Sequence, residues 1–304
     1  MICALLCLGM GAMAQNSSDN GSQKSFSKPT GGDFSIGIRF NPIAASKASD
    51  MVQNAAGDFV GNSIRDLEDK GTHPHQMFFL TQDPMVSIQG KYMLSNKMSL
   101  RASVGFGGGV FNYREYVQDD AAKAVNEYSE AVVTDKIRAT YTNGGVNLGV
   151  EFNTTGRLRF VGGGSLVYAW GGGEIEYEYG NKMTIENQNP TVMDKVTMDE
   201  FDGTASIKSA RPLDAYNIGV SHGFGLSLDM GVEWLFVEHV SLGARVSLIP
   251  VMFAVQPQTY SVYEGYDSVL NKVVEYNQLV SEGSSYFLYG TQNISLSFSL
   301  NYYF

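Results

Sequence analysis

The sequence predicts an all-β fold, an antiparallel up-and-down barrel of eight strands. Three observations predict it. Bulky apolar and small polar residues alternate in eight stretches, the charged residues of those stretches share one parity, and short turns alternate with long polar segments. A period of two places the two residue types on opposite faces of a strand. Eight such strands are enough to close a small barrel.

The clearest alternating stretch lies at the end of the sequence. Ile294, Leu296, Phe298, Leu300, Tyr302 and Phe304 share one parity, while Asn293, Ser295, Ser297, Ser299, Asn301 and Tyr303 share the other. The first set is large and apolar, and the second carries no charge and is mostly small and polar. We expect a strand with one apolar and one polar face, which either a water-soluble sandwich or a membrane barrel accommodates.

Seven further stretches repeat the pattern and complete the predicted strands. They lie near residues 34–40, 86–94, 100–106, 137–152, 158–179, 218–234 and 240–248. In the fourth strand the apolar parity switches at Asn143 to Gly145, which we interpret as a β-bulge. In the fifth strand it switches at Gly171 to Gly173.

The connections between these strands alternate between short and long. The short ones lie near Asn96, Thr155 and Glu238, and the long ones span residues 44–83, 118–135, 181–211 and 256–285. Transmembrane barrels have short periplasmic turns and long extracellular loops, whereas a soluble sandwich has no reason to sort its loops in this way. The loop pattern therefore favours a barrel that spans a membrane.

The charged residues of the predicted spans indicate which face meets lipid. Eight of them share the small, polar parity: Arg39, Lys91, Arg101, Glu151, Arg159, Asp229, Glu233 and Arg245. The bulky parity has one ionisable residue, His222. Because a Lys or Arg facing lipid at mid-depth costs about 2–4 kcal/mol, we expect the eight to form an ion-paired network inside a plugged lumen. On a soluble sandwich they would instead face solvent. Glu174, Glu176 and Glu178 fit the barrel only above the membrane.

Composition and the N-terminal sequence set the domain organisation. Only 17 % of the 304 residues are charged, and beyond the N-terminus no apolar run reaches the ~18 residues of a transmembrane helix. Residues 1–14 predict a signal peptide cut before Gln15, with the start codon expected a few residues upstream of Met1. Residues 15–32 predict a flexible leader, and residues 33–304 the barrel. Cys3 and Cys7 both fall in the signal peptide, so we expect a mature chain without disulfides.

Few motifs in the sequence carry chemistry, and none predicts an enzyme. His239 and Ser241 form a His-x-Ser motif, but no acidic residue follows until Glu264, and we interpret them as turn and lumen residues. His73 and His75 are the only close histidine pair, and a loop without metal is the favoured interpretation. We expect no catalytic residue, no cofactor and no metal. The net charge of −10 argues against a nucleic-acid partner.

The closing strand, the signal sequence and the loop asymmetry together carry a family resemblance. From Phe34 to Phe304 the chain resembles the small outer-membrane β-barrel proteins of the OmpA-type and Bacteroidota families of Gram-negative bacteria. The resemblance implies a multi-pass barrel in the outer membrane, in contact with membrane lipid and lipopolysaccharide. It also implies that the barrel assembly machinery reads the terminal aromatic strand, where the candidate signal is Phe298, Leu300, Tyr302 and Phe304.

The resemblance specifies location and architecture more closely than activity. We expect a non-enzymatic integral outer-membrane protein with a structural or interaction role, whose long loops contact any protein partner. Two alternatives stay open: an accessory subunit of an outer-membrane secretion or assembly complex, and a narrow, porin-like channel.

Overall fold

The computed structural model describes residues 28–41, 86–194, 196, 206–291 and 294–304. The predicted signal peptide, most of the predicted leader and the long segment at 44–83 lie outside these residues. The described part contains a short helix, α1 (Asp120–Val125), and strands β1 (Phe34–Phe40), β2 (Val86–Ser95), β3 (Met98–Gln118), β4 (Val132–Asn153), β5 (Leu158–Glu178), β6 (Ile207–Val237), β7 (Val240–Gln256), β8 (Thr259–Asp267), β9 (Lys272–Ser281), β10 (Ser284–Tyr289) and β11 (Ile294–Tyr303).

The strands close into a ring whose neighbours run antiparallel. β1 pairs with β2 on one side and with β11 on the other, and the order continues β2–β3–β4–β5–β6–β7–β11. The seam between β1 and β11 runs from Ser35 opposite Tyr303 to Phe40 opposite Phe298. The eight positions around this ring confirm the predicted all-β, up-and-down barrel.

In two of the eight positions around the ring, the place of one strand is taken by several shorter strands. β7 and β8 both pair along β6, with Val255 opposite His222 and Thr259 opposite Ile218, so together they form a long seventh strand. β9 pairs with β8, while β10 and β11 pair with β7, so these three form the eighth. The predicted loop over residues 256–285 is therefore wrong. Strands that rise beyond a bilayer carry polar residues on both faces and lose the alternation that marks a membrane span.

β4 has no bulge at Asn143 to Gly145, which corrects the sequence prediction. Its pairing with β3 is uninterrupted from Phe152 to Val132, and its pairing with β5 is equally regular from Asn153 to Lys136. The side chains therefore keep their inward and outward directions along the strand. What changes along β4 is the face that carries the apolar residues. In its lower part, toward Asn153, they face outward, and in its upper part, toward Val132, they face inward.

The upper parts of β3, β4 and β5 enclose a small hydrophobic core. Its buried members are Val117, Ile137, Ile175, Tyr177, Met193 and Val196. The last two belong to the segment after β5, which is held in place by the fully buried Asp135. This carboxylate accepts hydrogen bonds from the backbone N–H groups of Gly180 and Met193, at 2.8 and 3.0 Å. We call the described residues 107–142, 172–194, 206–220 and 256–283 the upper extension.

Candidate functional site

The wall of the ring is apolar outside and ionised inside. Phe160, Leu166 and Leu228 point outward and leave 63, 64 and 55 % of their surface exposed. Lys91 and Glu151 point inward and are each 2 % exposed. Water-soluble proteins almost never bury charged side chains while exposing a continuous apolar surface. The distribution therefore suits a barrel surrounded by hydrocarbon.

The lumen contains a lysine held between two glutamates. Nζ of Lys91 on β2 lies 3.0 Å from Oε1 of Glu151 on β4 and 3.0 Å from Oε2 of Glu233 on β6. Arg159 of β5 reaches the same Oε2 of Glu233 through Nη2, at 3.1 Å. Because buried ions are tolerated only when their charges are paired, these four side chains depend on one another.

Two more arginines join this network from β3 and β7. Arg101 pairs with Asp229 and lies 3.5 Å from Oε2 of Glu151, which also pairs with Arg245. The structure thus brings seven of the eight predicted lumen residues into one connected cluster, and Arg39 is buried on the inner face of β1. Among the seven, four cations face three carboxylates. The cluster therefore links β2, β3, β4, β5, β6 and β7 through side chains alone.

Uncharged residues of β7 and β11 complete the network. Sequence reasoning placed Ser241 in the lumen but identified neither its contact with Glu233 nor the roles of Asn301 and Tyr303. Ser241, Asn301 and Tyr303 donate hydrogen bonds to Oε1 of Glu233 at 2.6, 3.1 and 2.8 Å. Nη2 of Arg159 donates to Oη of Tyr303 at 2.8 Å. The only sequence signal for these partners is a polar group on the inward parity of a strand. That signal is shared by every inward polar residue of the strands.

The lumen is filled by side chains along the described spans. The smaller inward residues Ser35, Ser87, Gln89, Ser99, Ser103, Asn147, Ser165, Ser227, Ser247 and Ser297 are each at most 8 % exposed. A barrel of eight strands is just wide enough for its own side chains to fill it. The described interior is therefore a packed plug rather than an open pore.

Aromatic side chains gather on the outer surface near both ends of the apolar band. At the upper end, Tyr168 stacks on Trp170 with 5.7 Å between ring centroids, and its Oη lies 2.8 Å from Nδ1 of His222. This contact gives the outward histidine a polar partner. At the lower end, Phe34 and Phe304 stack at 6.2 Å. Tyrosine and tryptophan are enriched at this level in membrane proteins, where their rings meet the headgroup region.

The apolar band has the height of a bilayer. On β5 its outward residues extend from Leu158 to Trp170, which at about 3.3 Å per residue and a tilt of about 45° corresponds to about 28 Å. The hydrocarbon core of a bilayer is about 30 Å thick, and the apolar band of such barrels is about 25 Å tall. The chain is a transmembrane β-barrel. Closed antiparallel barrels with an even number of strands are the spanning architecture of the outer membrane, which is therefore its location.

Three residues of the predicted assembly signal lie on the outward face of β11, and the fourth, Phe304, directly follows the strand. Phe298, Leu300, Tyr302 and Phe304 are 46, 48, 47 and 64 % exposed. The backbone N–H of Phe304 donates to the carbonyl oxygen of Phe34 at 2.8 Å, so the connection to β1 continues one residue past the end of β11. Recognition of these side chains by an assembly machinery stays a prediction.

The histidine and serine of the His-x-Ser motif point in different directions. His239 has a φ of 66° in the turn between β6 and β7, is exposed, and lies beside the ring of Tyr302. Ser241 faces the lumen and donates to Glu233. Within the described ranges, no group of three or more His, Cys, Asp or Glu residues is placed to hold a metal ion, and His73 and His75 lie outside those ranges. No helix in this part of the chain is long and apolar enough to cross a membrane.

Comparison with known proteins gives distant likenesses only. No protein-family model matches the chain, and no curated protein matches it significantly. Among solved structures, it is similar to the outer membrane protein OprG of Pseudomonas aeruginosa, at 9 % identity and a TM-score of 0.31 over 91 % of this chain and 98 % of that one. It is also similar to Ail, the attachment invasion locus protein of Yersinia pestis, at 9 % and 0.29 over 90 and 99 %. A third is the outer membrane protein AlkL, at 12 % and 0.32 over 95 and 97 %. At TM-scores this low, the fold assignment rests on strand pairing and burial.

Proposed function

We propose that the chain is a non-enzymatic integral outer-membrane protein that acts by presenting its upper extension to the cell exterior. The observation that carries this proposal is the contrast between a packed, ion-paired lumen and an ordered extension above it. A filled barrel offers no route for solutes, so its contribution must come from its surfaces. The sequence resemblance to OmpA-type and Bacteroidota barrels supports the same structural or interaction role.

The upper extension is ordered by hydrogen bonds between its connections. Asn181 donates through Nδ2 to the backbone oxygens of Gln118 and Thr191, at 2.7 and 3.0 Å. Oδ2 of Asp120 accepts from the backbone N–H of Thr191 and from Nδ2 of Asn187, both at 2.8 Å. These bonds join the β3–β4 connection to the segment after β5. A surface that is ordered before binding loses less conformational entropy when a partner docks.

The upper extension is also strongly acidic. It carries 16 Asp and Glu residues against eight Lys and Arg, a net charge of −8 in a chain whose net charge is −10. Complementary charge speeds association and selects partners, so this surface favours a protein with a basic contact face. It disfavours nucleic acid for the same reason.

The narrow channel is the alternative that the packed lumen disfavours most. Conduction would require Lys91, Glu151 and Glu233 to separate, which would leave buried charges without partners. We expect the purified protein to produce no discrete conductance steps in planar bilayers. Reproducible steps that change on substitution of Glu151 would replace this proposal with the channel.

Site-specific crosslinking in intact cells tests the proposal. A photo-crosslinking residue at Tyr128 or Val269, which are 88 and 79 % exposed in the upper extension, should capture a partner from outside the cell. The matched control is Phe160, which is 63 % exposed on the lipid-facing band and should capture lipid only. Capture of a larger barrel protein from Phe160, with no protein captured from the extension, would favour the accessory-subunit alternative instead.

A further inference from the structure

The outward face of the upper extension carries its charges in two halves of opposite sign. The cationic half consists of Arg114 on β3 with Lys136 and Arg138 on β4. The acidic half consists of Glu174, Glu176 and Glu178 on β5 with Asp214 on β6. The outward parity of residues 108–118 and 132–142 contains no Asp or Glu, and that of residues 172–178 contains no Lys or Arg. The face is therefore polarised from one side to the other.

Ion pairs within the chain balance only the boundary between the two halves. Lys136 pairs with Glu178 at 2.9 Å, and Arg138 pairs with Glu176 at 3.0 Å. These four side chains are 41 to 71 % exposed, and exposed pairs contribute only about 0–1 kcal/mol each. They can therefore exchange partners at little cost.

Beyond this boundary, each half holds a surplus of its own charge. Arg114 lies directly opposite Lys136 in the sheet, and within the part of the chain that the structure describes no carboxylate pairs with Arg114. On the acidic side, partial burial and the nearby carboxylates of Asp214 and Glu176 raise the pKa of Glu174. Like charges on neighbouring strands destabilise a sheet, so both surpluses carry a cost.

The stagger of the ring determines how high each charge stands above the membrane. The line of paired residues that leaves Ile38 through β2 crosses the sheet to Phe287 on β10, whereas on its other side Ile38 pairs with Leu300, nearer the lower end. Each step from β3 toward β6 therefore rises. At a strand spacing of about 4.8 Å and a tilt of about 45°, the rise is about 3.4 Å per strand.

This stagger brings Arg114 and Glu174 to the same height. Glu178 is in line with Arg114, two strands away, and Glu174 lies four residues below Glu178 on β5. Two steps across the sheet raise the line by about 7 Å, and four residues down a tilted strand lower it by about 9 Å. The same geometry separates Arg114 and Glu174 sideways by about 16 Å, which is too far for them to pair within one chain.

The two surpluses match when a second copy of the chain faces the first. Copies in one membrane share their orientation, so a closed symmetric contact has its two-fold axis along the membrane normal. An axis beside Arg138 places Arg114 of each copy against Glu174 of the other, and Lys136 against Glu176. We propose that the outward face of the upper extension is the contact surface of a symmetric dimer of this chain, held by reciprocal pairs between Arg114 and Glu174.

The size of this face predicts a weak dimer that depends on its charges. On β3 the outward side chains of Val110 and Tyr116, which are 58 and 76 % exposed, flank Arg114 and add apolar area. A face about 16 Å wide and about 20 Å long covers roughly 300 Å², against about 800 Å² per partner in a standard interface. Contact between the apolar bands below adds packing, but lipid removes the hydrophobic drive for that contact.

Energy transfer between donor- and acceptor-labelled copies of the full chain in lipid vesicles tests this inference. The labels are attached at Lys97→Cys, in the exposed turn between β2 and β3. Arg114→Glu and Glu174→Arg each place like charges against each other across the two-fold axis, so either variant alone should dimerise about tenfold more weakly or worse. An equal mixture of the two variants should dimerise within about twofold of the unaltered chain, because a mixed dimer regains both pairs of opposite charge.

A matched control separates this contact from general attraction between oppositely charged chains. Lys123→Glu and Glu130→Arg make the same charge changes at exposed positions of the β3–β4 connection. Both control variants should dimerise like the unaltered chain, alone and mixed. If charge reversal prevents folding, Arg114→Gln and Glu174→Gln should each still weaken the dimer about threefold or more.

Three results would overturn the inference. The first is an unaltered chain without energy transfer above random proximity at any ratio of protein to lipid. The second is an Arg114→Glu or Arg114→Gln chain that dimerises as well as the unaltered one. The third is a mixture of the two reversed variants that stays monomeric although heat-dependent gel mobility shows both to be folded. The inference goes beyond the proposed function, because a monomeric chain that still captures a partner at Tyr128 or Val269 would contradict the dimer alone.

Discussion

The hydroxyl of Tyr303 on β11 donates to Oε1 of Glu233 on β6 at 2.8 Å, although β7 lies between these two strands. The same oxygen of Tyr303 accepts from Arg159 of β5. The closing strand is thus tied to the ionic network as well as to its backbone neighbours. Glu233 is the residue on which these contacts converge.

Replacement of Tyr303 by Phe should destabilise the barrel, whereas the same change at Tyr302 should not. Tyr303→Phe removes a buried hydroxyl that joins Glu233 and Arg159, with an expected cost of about 1–3 kcal/mol. Tyr302 is 47 % exposed on the outward face and serves as the matched control. Urea unfolding in lipid vesicles, followed by tryptophan fluorescence, measures both. Equal losses from the two variants would contradict a role for the inward hydroxyl.

Replacement of Glu233 by Gln should cost more than any neutral hydrogen-bond deletion in the lumen. The variant leaves the cations of Lys91 and Arg159 buried with less negative charge, and breaking a buried ion pair costs about 3–5 kcal/mol. Glu238→Gln in the exposed turn between β6 and β7 is the control and should be nearly neutral. The same unfolding assay applies. A Glu233→Gln barrel as stable as the control would show that the network is not needed for stability.

An alanine at Gly144 should displace the indole of Trp170. A Cβ at Gly144 would overlap ring atoms of Trp170, whereas a Cβ at Gly162 would have its nearest neighbour, a backbone oxygen of Asp229, at 3.7 Å. We expect Gly144→Ala to shift the emission of Trp170 in a Trp234→Phe background and to cost about 1–3 kcal/mol. Gly162→Ala is the control. Identical emission spectra from the two variants would show that Trp170 does not lie over β4.

Replacement of Asp135 by Asn should loosen the upper extension without unfolding the barrel. The amide supplies one oxygen where the carboxylate supplies two, so the N–H of either Gly180 or Met193 loses its acceptor. We expect faster proteolysis of the segment after β5, with unchanged heat-dependent gel mobility. Glu130→Gln, on an exposed side chain, is the control. Simultaneous loss of both properties would mean that extension and barrel unfold as one unit.

The contact between Asp120 and Thr191 should depend on pH at the acidic end of the range. Partial burial opposes ionisation of Asp120, but hydrogen bonds from Thr191 and Asn187, with nearby Lys123, lower the pKa of its carboxyl below the ordinary value. A depressed pKa adds stability above the ordinary value of about 3.9, and this stability is lost as the pH falls through the folded-state pKa.

The amide proton of Thr191 reports this titration by NMR. Its chemical shift should change with a midpoint below about 3.9, and the change should be absent in Asp120→Asn. A midpoint at or above the ordinary value would contradict the hydrogen bonds described here.

The sequence predicts the structure well in the membrane spans, because lipid imposes the alternation of apolar and polar residues there. Hydrocarbon outside and a narrow lumen inside force strict alternation, so the spans and the inward parity of Lys91, Glu151 and Glu233 could be predicted. Above the bilayer that constraint ends. Ile137 and Tyr177 then face inward as apolar residues, and the resulting change of parity resembled a bulge in the sequence. β8 and β9 were missed for the same reason.

The partners within the network could not be predicted from parity alone. Tyr303 and Asn301 reach Glu233 from two strands away, and such contacts depend on stagger and tilt that no local pattern encodes. The placement of Arg114 opposite Lys136 likewise depends on the β3–β4 register, which the sequence constrains only through its apolar spans.

Residues of one parity of β5 face hydrocarbon, and residues of the other parity face a packed interior. Both cysteines of the sequence lie at positions 3 and 7, so single cysteines can be placed on the strand and labelled with a fluorophore in a chain that otherwise lacks thiols there. Quenching by brominated lipid in vesicles should be strong at Leu158, Phe160 and Leu166, weak at Ser165 and Val167, and absent at Glu176. Strong quenching at Ser165 with none at Leu166, or full access of a water-soluble quencher to both, would contradict the transmembrane barrel.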